Sequence, residues 1–283
     1  MLDKMTLTDQ DYQLFIFTLK SYSKYDFSQY SEKSLKRRII KVLTDHSMTM
    51  TNLLSKLKND NVFVEEIVKE ITVNTTELFR DPQVWQSVRF NILPRLKNNS
   101  AVNIWHAGCS TGQEVYSMLI LLQELDMLDK TKVYATDINT DVISVAKSGE
   151  YRYRFNLAYL DNFDKVVKEN PYNYEEYNDV PYEKYFSLDK VSDTIKMNSV
   201  LREKPVFKKH DLVTENNTLY VKFDLILCRN VIIYFNYNLQ CKVFDLFHQN
   251  LYDNGCLILG MHESILGPHA VKFQKKGHAY FKN

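Results

Sequence analysis

Several features that are rare or absent in this sequence limit the kinds of protein it can be. Its 283 residues contain no apolar run near the ~18 residues of a membrane-spanning helix, and Asp, Lys and Gln interrupt the first apolar stretch, so neither a transmembrane segment nor a signal peptide is expected. The four cysteines form no CxxC pair and no zinc-type spacing with histidine, which favours free thiols and no metal site. A net charge of +1 gives no general attraction to nucleic acid. We therefore expect a cytoplasmic protein that inserts into no membrane and binds neither nucleic acid nor metal.

Residues 8 to about 73 carry almost no strand signal and are predicted to form helices. One helix begins at the cap residue Thr8, and a second follows the cap residue Ser31 with apolar residues at helical spacing. On a helical wheel the second helix has a basic side, away from its apolar side, formed by Lys33, Arg37, Arg38 and Lys41. Such a basic side is either simply solvated or a docking surface for an acidic helix or helix bundle. The second alternative is favoured by the small number of acidic residues that could neutralise its charge.

The remainder of the chain alternates short β-rich runs with amphipathic helices, the pattern of an α/β fold with a parallel sheet covered on both faces. The predicted strands are AVNIWHA, KVYATDI, FDLILCRN and GCLILGM, with PVFKKHDL as a further candidate and an antiparallel hairpin around Gly277. The tyrosine- and acid-rich residues from about 157 to 200 fit neither pattern and are predicted to be an inserted subdomain. The sequence thus predicts an all-α domain at residues 1–75 and an α/β domain at residues 76–283.

Glycine is scarce, with seven in the chain, yet two lie in the turn AGCSTGQEVYS between the first predicted strand and its helix. Gly108 and Gly112 are then expected at the carboxyl ends of the strands, where ligands of such sheets bind. The turn is not GxGxxG and contains no lysine, so it predicts neither a dinucleotide site nor a phosphate loop. Asp137 ends the second strand, where an acid accepts hydrogen bonds from ribose hydroxyls. An adenosyl ligand without phosphate is S-adenosylmethionine (SAM), although turn and capping chemistry would explain each feature taken singly.

Five segments then occur in a characteristic order: NTTELFRDP, IWHAGCSTGQEVYSM, ATDINTDVISVAKSGEYR, LCRNVIIYF and GCLILGMHESI. Together they resemble the CheR-type chemotaxis receptor methyltransferases, over essentially the whole chain. The resemblance implies a Rossmann-like, SAM-dependent methyltransferase that converts receptor glutamates into methyl esters and releases S-adenosylhomocysteine (SAH). It implies the cytoplasmic helical bundle of a chemoreceptor as partner, and we expect a monomer. Because a glutamate carboxyl has a pKa of about 4.3, it is already ionised at neutral pH and needs no general base.

The resemblance also implies roles for individual residues. Arg80 and Tyr234 lie at the implied methyl-transfer site, where Arg80 would orient the carboxylate of either the substrate or the methionine moiety through paired N–H donors. Glu114 would meet the cofactor amine, although an acid at a helix start is also ordinary dipole chemistry. Asp211 stands where the family usually has Asn beside the adenine. The implied cofactor contacts are Asn74, Thr76, Arg80, Ala107, Gly108, Glu114, Asp137, Ile138, Asp211, Leu212, Arg229 and Asn230.

The chain departs from the family in the glycine turn and in the insertion. Gln113 and Val115 stand in the turn where the family often has Glu and Pro. The insertion has no glycine turn that aligns with relatives that bind a receptor tail, so the basic helix side is the expected receptor contact. Two other functions stay open: a SAM-binding signalling protein with lost or redirected activity, and a methyltransferase for a small carboxylic acid. The NPY at 170–172 resembles a nucleic-acid amino-methyltransferase motif but lies in a polar stretch, and His106 is expected to be structural.

Overall fold

Four helices form the N-terminal part of the computed structural model, which describes residues 7–156 and 158–283. They are α1 (Asp9–Tyr22), α2 (Glu32–Asp45), α3 (Met50–Asn59) and α4 (Asn61–Ile71). Helix α1 begins where predicted, because the Thr8 hydroxyl accepts a hydrogen bond from the Asp11 amide while the Asp11 carboxylate accepts one from the Thr8 amide. Apolar residues of all four helices share one core, which confirms the predicted all-α character.

The connection between α1 and α2 is bound to the other part of the protein. Ser31 precedes α2 as predicted, but its side chain forms no capping hydrogen bond. Its amide instead donates to the Tyr234 carbonyl at 2.7 Å. The Tyr30 ring packs on the Phe235 ring, with centroids 5.1 Å apart. The N-terminal helices therefore close over the α/β part rather than standing apart from it.

Strands and helices alternate through the rest of the chain. The strands are β1 (Val102–Ala107), β2 (Thr131–Asp137), β3 (Glu150–Arg152), β4 (Phe186–Asp189), β5 (Thr194–Met197), β6 (Val206–Lys209), β7 (Phe223–Cys228), β8 (Leu251–Leu259), β9 (Phe273–Lys276) and β10 (Ala279–Lys282). The helices are α5 (Pro82–Ser87), α6 (Leu93–Leu96), α7 (Gln113–Glu124), α8 (Thr140–Ser148), α9 (Ala158–Phe163), α10 (Ser199–Arg202) and α11 (Tyr237–Asn250). None of the described helices is both long and apolar enough to cross a membrane.

The main sheet has seven strands in the order β6-β2-β1-β7-β8-β10-β9, and the loops at its strand ends line the candidate site. The first five strands of that order are parallel, and β9 and β10 form the predicted antiparallel hairpin at one edge. Each face is buried: Ile104 of β1 lies in a core with residues of α7, while Trp105 lies in a second core with residues of α11. Successive side chains of β1 thus pack into the cores on opposite faces of the sheet. This confirms the predicted α/β fold, in which helices cover both faces of a parallel sheet.

The insertion supplies β4 and β5 of a small antiparallel sheet of order β3-β5-β4, which was not predicted; β3 lies just before the insertion. Its strands have only three or four residues, too few for an alternation pattern to stand out. The turn between β4 and β5 uses Asp193 in the left-handed region (φ 55°), so no glycine marks it. The predicted limits at residues 1 and 157 lie outside the described residues. The described part of the insertion pairs with β3 through β5 and leads through α10 into β6 of the main sheet.

The four cysteines are free, and Cys109, Cys228 and Cys256 are buried in the cores. Burial raises the pKa of each of these three thiols, to about 12 for Cys256. They remain protonated near neutral pH and act as small apolar packing groups.

Candidate functional site

A cavity opens at the carboxyl ends of the parallel strands, beneath the N-terminal helices. It encloses about 1060 Å³, its open mouth included. The segments that follow β1, β2, β6 and β7 supply its floor, and the α1–α2 connection with α2 supplies its roof. All predicted cofactor contacts line it except Ala107, which is buried at the end of β1. The position agrees with the expectation that ligands bind at this edge of a parallel sheet.

The glycine turn after β1 has a left-handed backbone at both glycines, with φ 80° at Gly108 and 90° at Gly112. A Cβ on Gly108 would lie 2.5 Å from Val231 Cγ2, and one on Gly112 would lie 2.7 Å from Ala146 Cβ. The sequence analysis explained the two glycines by the approach of a ligand. The structure adds an independent reason, because the backbone conformation and contacts with protein side chains already require both glycines, and the approach of a ligand stays a prediction.

We expect Gly108→Ala to destabilise the protein by about 2–4 kcal/mol, because the new methyl group adds overpacking against Val231 to the cost of a left-handed backbone. Gly277 is the matched control, since its φ is also positive (59°) but no atom lies within 4 Å of an added Cβ. Gly277→Ala should cost only about 1 kcal/mol. Equal shifts of the two variants in denaturant unfolding would contradict this reading of the turn.

Asp137 ends β2 and is 8% exposed in the cavity wall. Its carboxylate accepts hydrogen bonds from the Ser110 amide at 2.8 Å and the Asn139 amide at 3.0 Å. Burial nevertheless raises the pKa of Asp137, against the lowering effect of these amides. The buried hydroxyl of Ser110, in the same wall, has no hydrogen-bond partner among the described residues. Spare acceptor positions beside an unpaired hydroxyl suit the hydroxyl groups of a sugar.

A second wall contains Asp211, Leu212 and Ile138, and the structure adds Tyr30, which the sequence analysis missed. The Asp211 carboxylate accepts hydrogen bonds from the Val213 amide at 2.8 Å and the Thr214 hydroxyl at 2.9 Å. Burial, together with the charges of Asp211 and Asp137, raises the pKa of Tyr30, so its hydroxyl stays protonated near neutral pH. An apolar wall with a phenol ring is suited to a flat aromatic base.

The segment before α5 carries Asn74, Thr76 and Arg80 into the cavity. Helix α5 begins only at Pro82, so Asn74 and Thr76 are not its capping residues. The Arg80 guanidinium is half-exposed, and within the described residues its hydrogen bonding is limited to the Thr75 carbonyl at 3.4 Å, with no salt bridge. Its paired N–H donors remain available to a ligand carboxylate.

Behind Arg80 lies a buried network of charged groups centred on Arg229, whose side chain is 2% exposed. Its guanidinium donates to Asp81 Oδ2 at 2.8 Å, to Glu114 Oε2 at 3.2 Å and to the Arg80 carbonyl at 2.8 Å. Burial alone would raise the pKa of Glu114, but the hydrogen bond from His106 and the charge of Arg229 together lower it. Both Glu114 oxygens already have protein partners, so its contact with a cofactor amine stays a prediction.

The turn after β7 places Asn230 and Tyr234 in the cavity wall. Asn230 has a left-handed backbone (φ 59°), which the buried carboxylate of Glu263 supports. One Glu263 oxygen accepts from the amides of Asn230 at 2.8 Å and Gly260 at 2.7 Å, and the other accepts from the Ile233 amide at 3.2 Å. The sequence analysis gave Glu263 no role, because nothing in GMHES shows that the acid points back into the preceding loop.

The predicted basic side of α2 is divided by the structure. Lys33, Arg37 and Lys41 are exposed and do not line the cavity. Arg38 is half-buried in the cavity wall, where its guanidinium donates to the Thr72 carbonyl at 3.0 Å. Its assignment to the outer docking surface is therefore wrong, because the segment that follows α4 covers this part of the helix. Lys41 also pairs with Asp45, whereas Lys33 and Arg37 form no salt bridge within the described residues.

One grouping of possible metal ligands occurs in the described residues, away from the cavity. The ligand atoms of His46, Glu66 and Glu70 lie within 4.8 Å of one another where the end of α2 meets α4. His46 Nε2 and Glu70 Oε1 are already 2.8 Å apart as a hydrogen-bonded pair. The pair satisfies both groups, and the expectation of no metal stays a prediction.

The cavity as a whole suits SAM. It combines a buried strand-end carboxylate, an unpaired buried hydroxyl, an apolar wall and an uncommitted guanidinium, and its glycine turn carries no lysine for a phosphate. Asp137 and Ser110 would hold the ribose, the wall with Leu212 and Tyr30 the adenine, and Arg80 a carboxylate.

Comparison with protein-family models gives two matches that together span nearly the whole chain. Residues 74–281 match the SAM-binding domain of CheR methyltransferases, and residues 10–72 match their all-α domain. The boundary between the two matches falls just before the segment that enters the cavity.

Curated relatives cover most of the chain as well. A methyltransferase named Cher3 from Pseudomonas putida is 35% identical over 259 residues, which is 91% of this chain and 90% of the relative. The chemotaxis protein methyltransferase of Listeria monocytogenes is 29% identical over 264 residues, 92% of both chains. That of Borreliella burgdorferi is 30% identical over 226 residues, 76% of this chain and 73% of the relative. The chain therefore belongs to the CheR methyltransferase family and is a SAM-dependent methyltransferase.

Proposed function

We propose that the protein transfers the methyl group of SAM to glutamate side chains of chemoreceptors and forms glutamyl methyl esters. Relatives from Listeria, Borreliella and Vibrio are named chemotaxis protein methyltransferases, which supports a role in chemotaxis. The observation that carries the choice of a carboxylate acceptor is Arg80, a half-exposed guanidinium without an ion partner in the cavity. The protein would work in the cytoplasm as a monomer.

Methyl transfer to a carboxylate requires that the two substrates be aligned, and it does not require a general base. Bound SAM supplies a methyl group on a positively charged sulfur. The glutamate oxygen forms a bond to the methyl carbon while the carbon–sulfur bond breaks, which leaves the ester and SAH without a proton transfer. A carboxylate with a pKa of about 4.3 is already the nucleophile at neutral pH. The task of the protein is then to hold the carboxylate oxygen in line and to keep water away.

Arg80 and Tyr234 are the residues that we assign to this task. Arg80 orients a carboxylate through two parallel N–H donors, which fix its plane as well as its distance. Tyr234 lines the same cavity, where a hydroxyl or a π face can stabilise a neighbouring sulfonium cation. Arg38 lines the same cavity as Tyr234 and adds a second positive charge to the site of an acidic substrate. The site thus offers two guanidinium groups to an anionic side chain.

The remaining exposed cations of α2 are the proposed receptor contact. Lys33, Arg37 and Lys41 stand on the helix that also contributes Arg38 to the cavity roof. An acidic helical bundle bound on this outer side would present its glutamates beside the cavity mouth. Electrostatic attraction of this kind mainly raises the rate of association.

We expect the double variant Arg37→Glu/Lys41→Glu to lower kcat/KM for receptor methylation by about ten- to a hundredfold at low salt, because opposite charges would repel an acidic bundle. The affinity for SAH should not change, since neither residue lines the cavity. The matched control is Lys147→Glu/Lys190→Glu, which reverses two exposed cations elsewhere. Unchanged receptor methylation in the first variant, or an equal loss in the control, would show that α2 is not the docking surface.

The function itself is tested by transfer of a tritiated methyl group from SAM to receptor-containing membranes. We expect receptor-bound label that mild base releases as methanol, the behaviour of an ester. Label that survives base would exclude glutamate as acceptor. Label on a small carboxylic acid, with none on receptors, would support a small-molecule methyltransferase, and SAH binding without any transfer would support a signalling protein without activity.

A further inference from the structure

The insertion touches the two walls of the cavity that carry its main polar groups. One wall is the glycine turn with the start of α7, and the other is the segment of Thr76 and Arg80 before α5. Between them stands Tyr159 of helix α9, in the insertion, with only 4% of its surface exposed. No motif of the sequence analysis included it, and the mechanism above does not use it.

The Tyr159 hydroxyl bridges the two walls directly. It accepts a hydrogen bond from Gln113 Nε2 at 3.1 Å and lies 3.3 Å from the Thr76 carbonyl, to which it donates. Gln113 is the first residue of α7, and Thr76 lines the cavity. A phenol can serve as acceptor and donor at once, so one group satisfies both partners.

A second set of contacts holds the glycine turn from the same side. The Thr111 hydroxyl donates to Gln113 Oε1 at 2.6 Å, and the Tyr151 hydroxyl donates to the Thr111 carbonyl at 2.8 Å. Tyr151 belongs to β3 of the small antiparallel sheet. The hydrogen bonds thus run from Tyr151 of β3, across Thr111 and Gln113 of the turn, to Tyr159 of the insertion and on to Thr76 of the opposite wall.

We propose that Gln113 and Tyr159 are positioning residues that set the spacing of the two cavity walls, and that the insertion therefore shapes the SAM site. Neither residue touches the reacting atoms. The amide of Gln113 is what makes the bridge, since it donates to Tyr159 and accepts from Thr111 with one planar group. A glutamate at position 113 could not donate to the phenol, and Tyr159 could not then serve both walls.

The proposal is tested by calorimetric binding of SAH, which needs no receptor and so is independent of the proposed substrate. We expect Tyr159→Phe and Gln113→Met each to weaken SAH binding about tenfold, the effect of losing a buried hydrogen bond at the site. The double variant should lose no more than either single one, because both changes break the same bridge. The KM for SAM should rise in parallel, with less change in kcat.

Tyr182→Phe is the matched control. The Tyr182 hydroxyl donates to the Asp164 carboxylate at 2.9 Å inside the insertion, away from the cavity. This variant should lower the thermal stability of the protein as much as Tyr159→Phe does while leaving the SAH affinity unchanged. The proposal is overturned if both bridge variants bind SAH within about twofold of the parent, or if Tyr182→Phe weakens binding to the same extent.

Discussion

Replacement of Arg80 by alanine is expected to lower the rate of methyl transfer to receptors by about a thousandfold. Two charge-assisted hydrogen bonds, each contributing about 1.5–3 kcal/mol, would be lost from the reacting geometry. The methyl donor stays bound by the other walls of the cavity, so its binding should weaken far less than turnover. The measurement is initial-rate transfer of labelled methyl together with SAH calorimetry.

The structure separates this effect from misfolding. Arg80 is half-exposed, has one weak hydrogen bond to a neighbouring carbonyl and forms no salt bridge within the described residues, so Arg80→Ala should unfold at nearly the parent temperature. Arg80→Lys keeps the charge but not the planar pair of donors and should recover only a small part of the activity. An exposed arginine elsewhere, Arg154, provides the control Arg154→Ala. Activity of Arg80→Ala within tenfold of the parent would remove Arg80 from the site.

The largest loss of stability is expected for Arg229→Met. This change removes the cation that pairs with both Asp81 and Glu114, and leaves Glu114 only its hydrogen bond with His106. Breaking a buried ion pair by removing one partner costs about 3–5 kcal/mol. The same change frees the Arg80 carbonyl from its hydrogen bond with Arg229, so SAH binding should fall as well. Denaturant unfolding measures the first effect and calorimetry the second.

The pH dependence of stability provides a second signature of this network. The folded state lowers the pKa of Glu114, so its contribution is present above the ordinary value of 4.5 and is lost as the pH falls below it. In Arg229→Met the lowering charge is gone, so the variant is already less stable at neutral pH, and the further loss of stability on acidification should be smaller than in the parent. The exposed pair of Lys196 and Glu150 gives the control Lys196→Met, for which little change is expected. A variant Arg229→Met as stable as the parent at every pH would contradict the network.

The main architecture could be predicted from the sequence because the N-terminal part has the periodicity of helices, whereas the remainder alternates strand-like and helix-like patterns. The four-helix N-terminal part and the parallel sheet both follow from where apolar residues recur, and the glycine turn and Asp137 lie at the strand ends as predicted. These are local properties. A strand that ends in an acid carries the acid to the edge of the sheet whatever its neighbours are.

The features that the sequence analysis missed depend on contacts between distant segments. A helical wheel identifies the apolar side of α2 but not the segment after α4 that covers Arg38, so Arg38 is predicted as part of the outer docking side. Tyr30 enters the cavity only because the α1–α2 connection pairs with the loop after β7. Glu263 and Tyr159 act through backbone groups 33 and 83 residues away, respectively. No spacing pattern in one sequence reports such pairings.

We propose that this cavity delivers a methyl group to a glutamate oxygen of a receptor. Mass spectrometry of receptor peptides after incubation with the protein and SAM tests it most directly, because it identifies the modified side chain. We expect one added methyl group on each modified glutamate of the helical bundle. Mild base should remove this methyl group, and it should be absent after incubation with Arg80→Ala. Methyl groups on lysine, asparagine or cysteine side chains, or an unmodified receptor in the presence of protein that binds SAH, would contradict it.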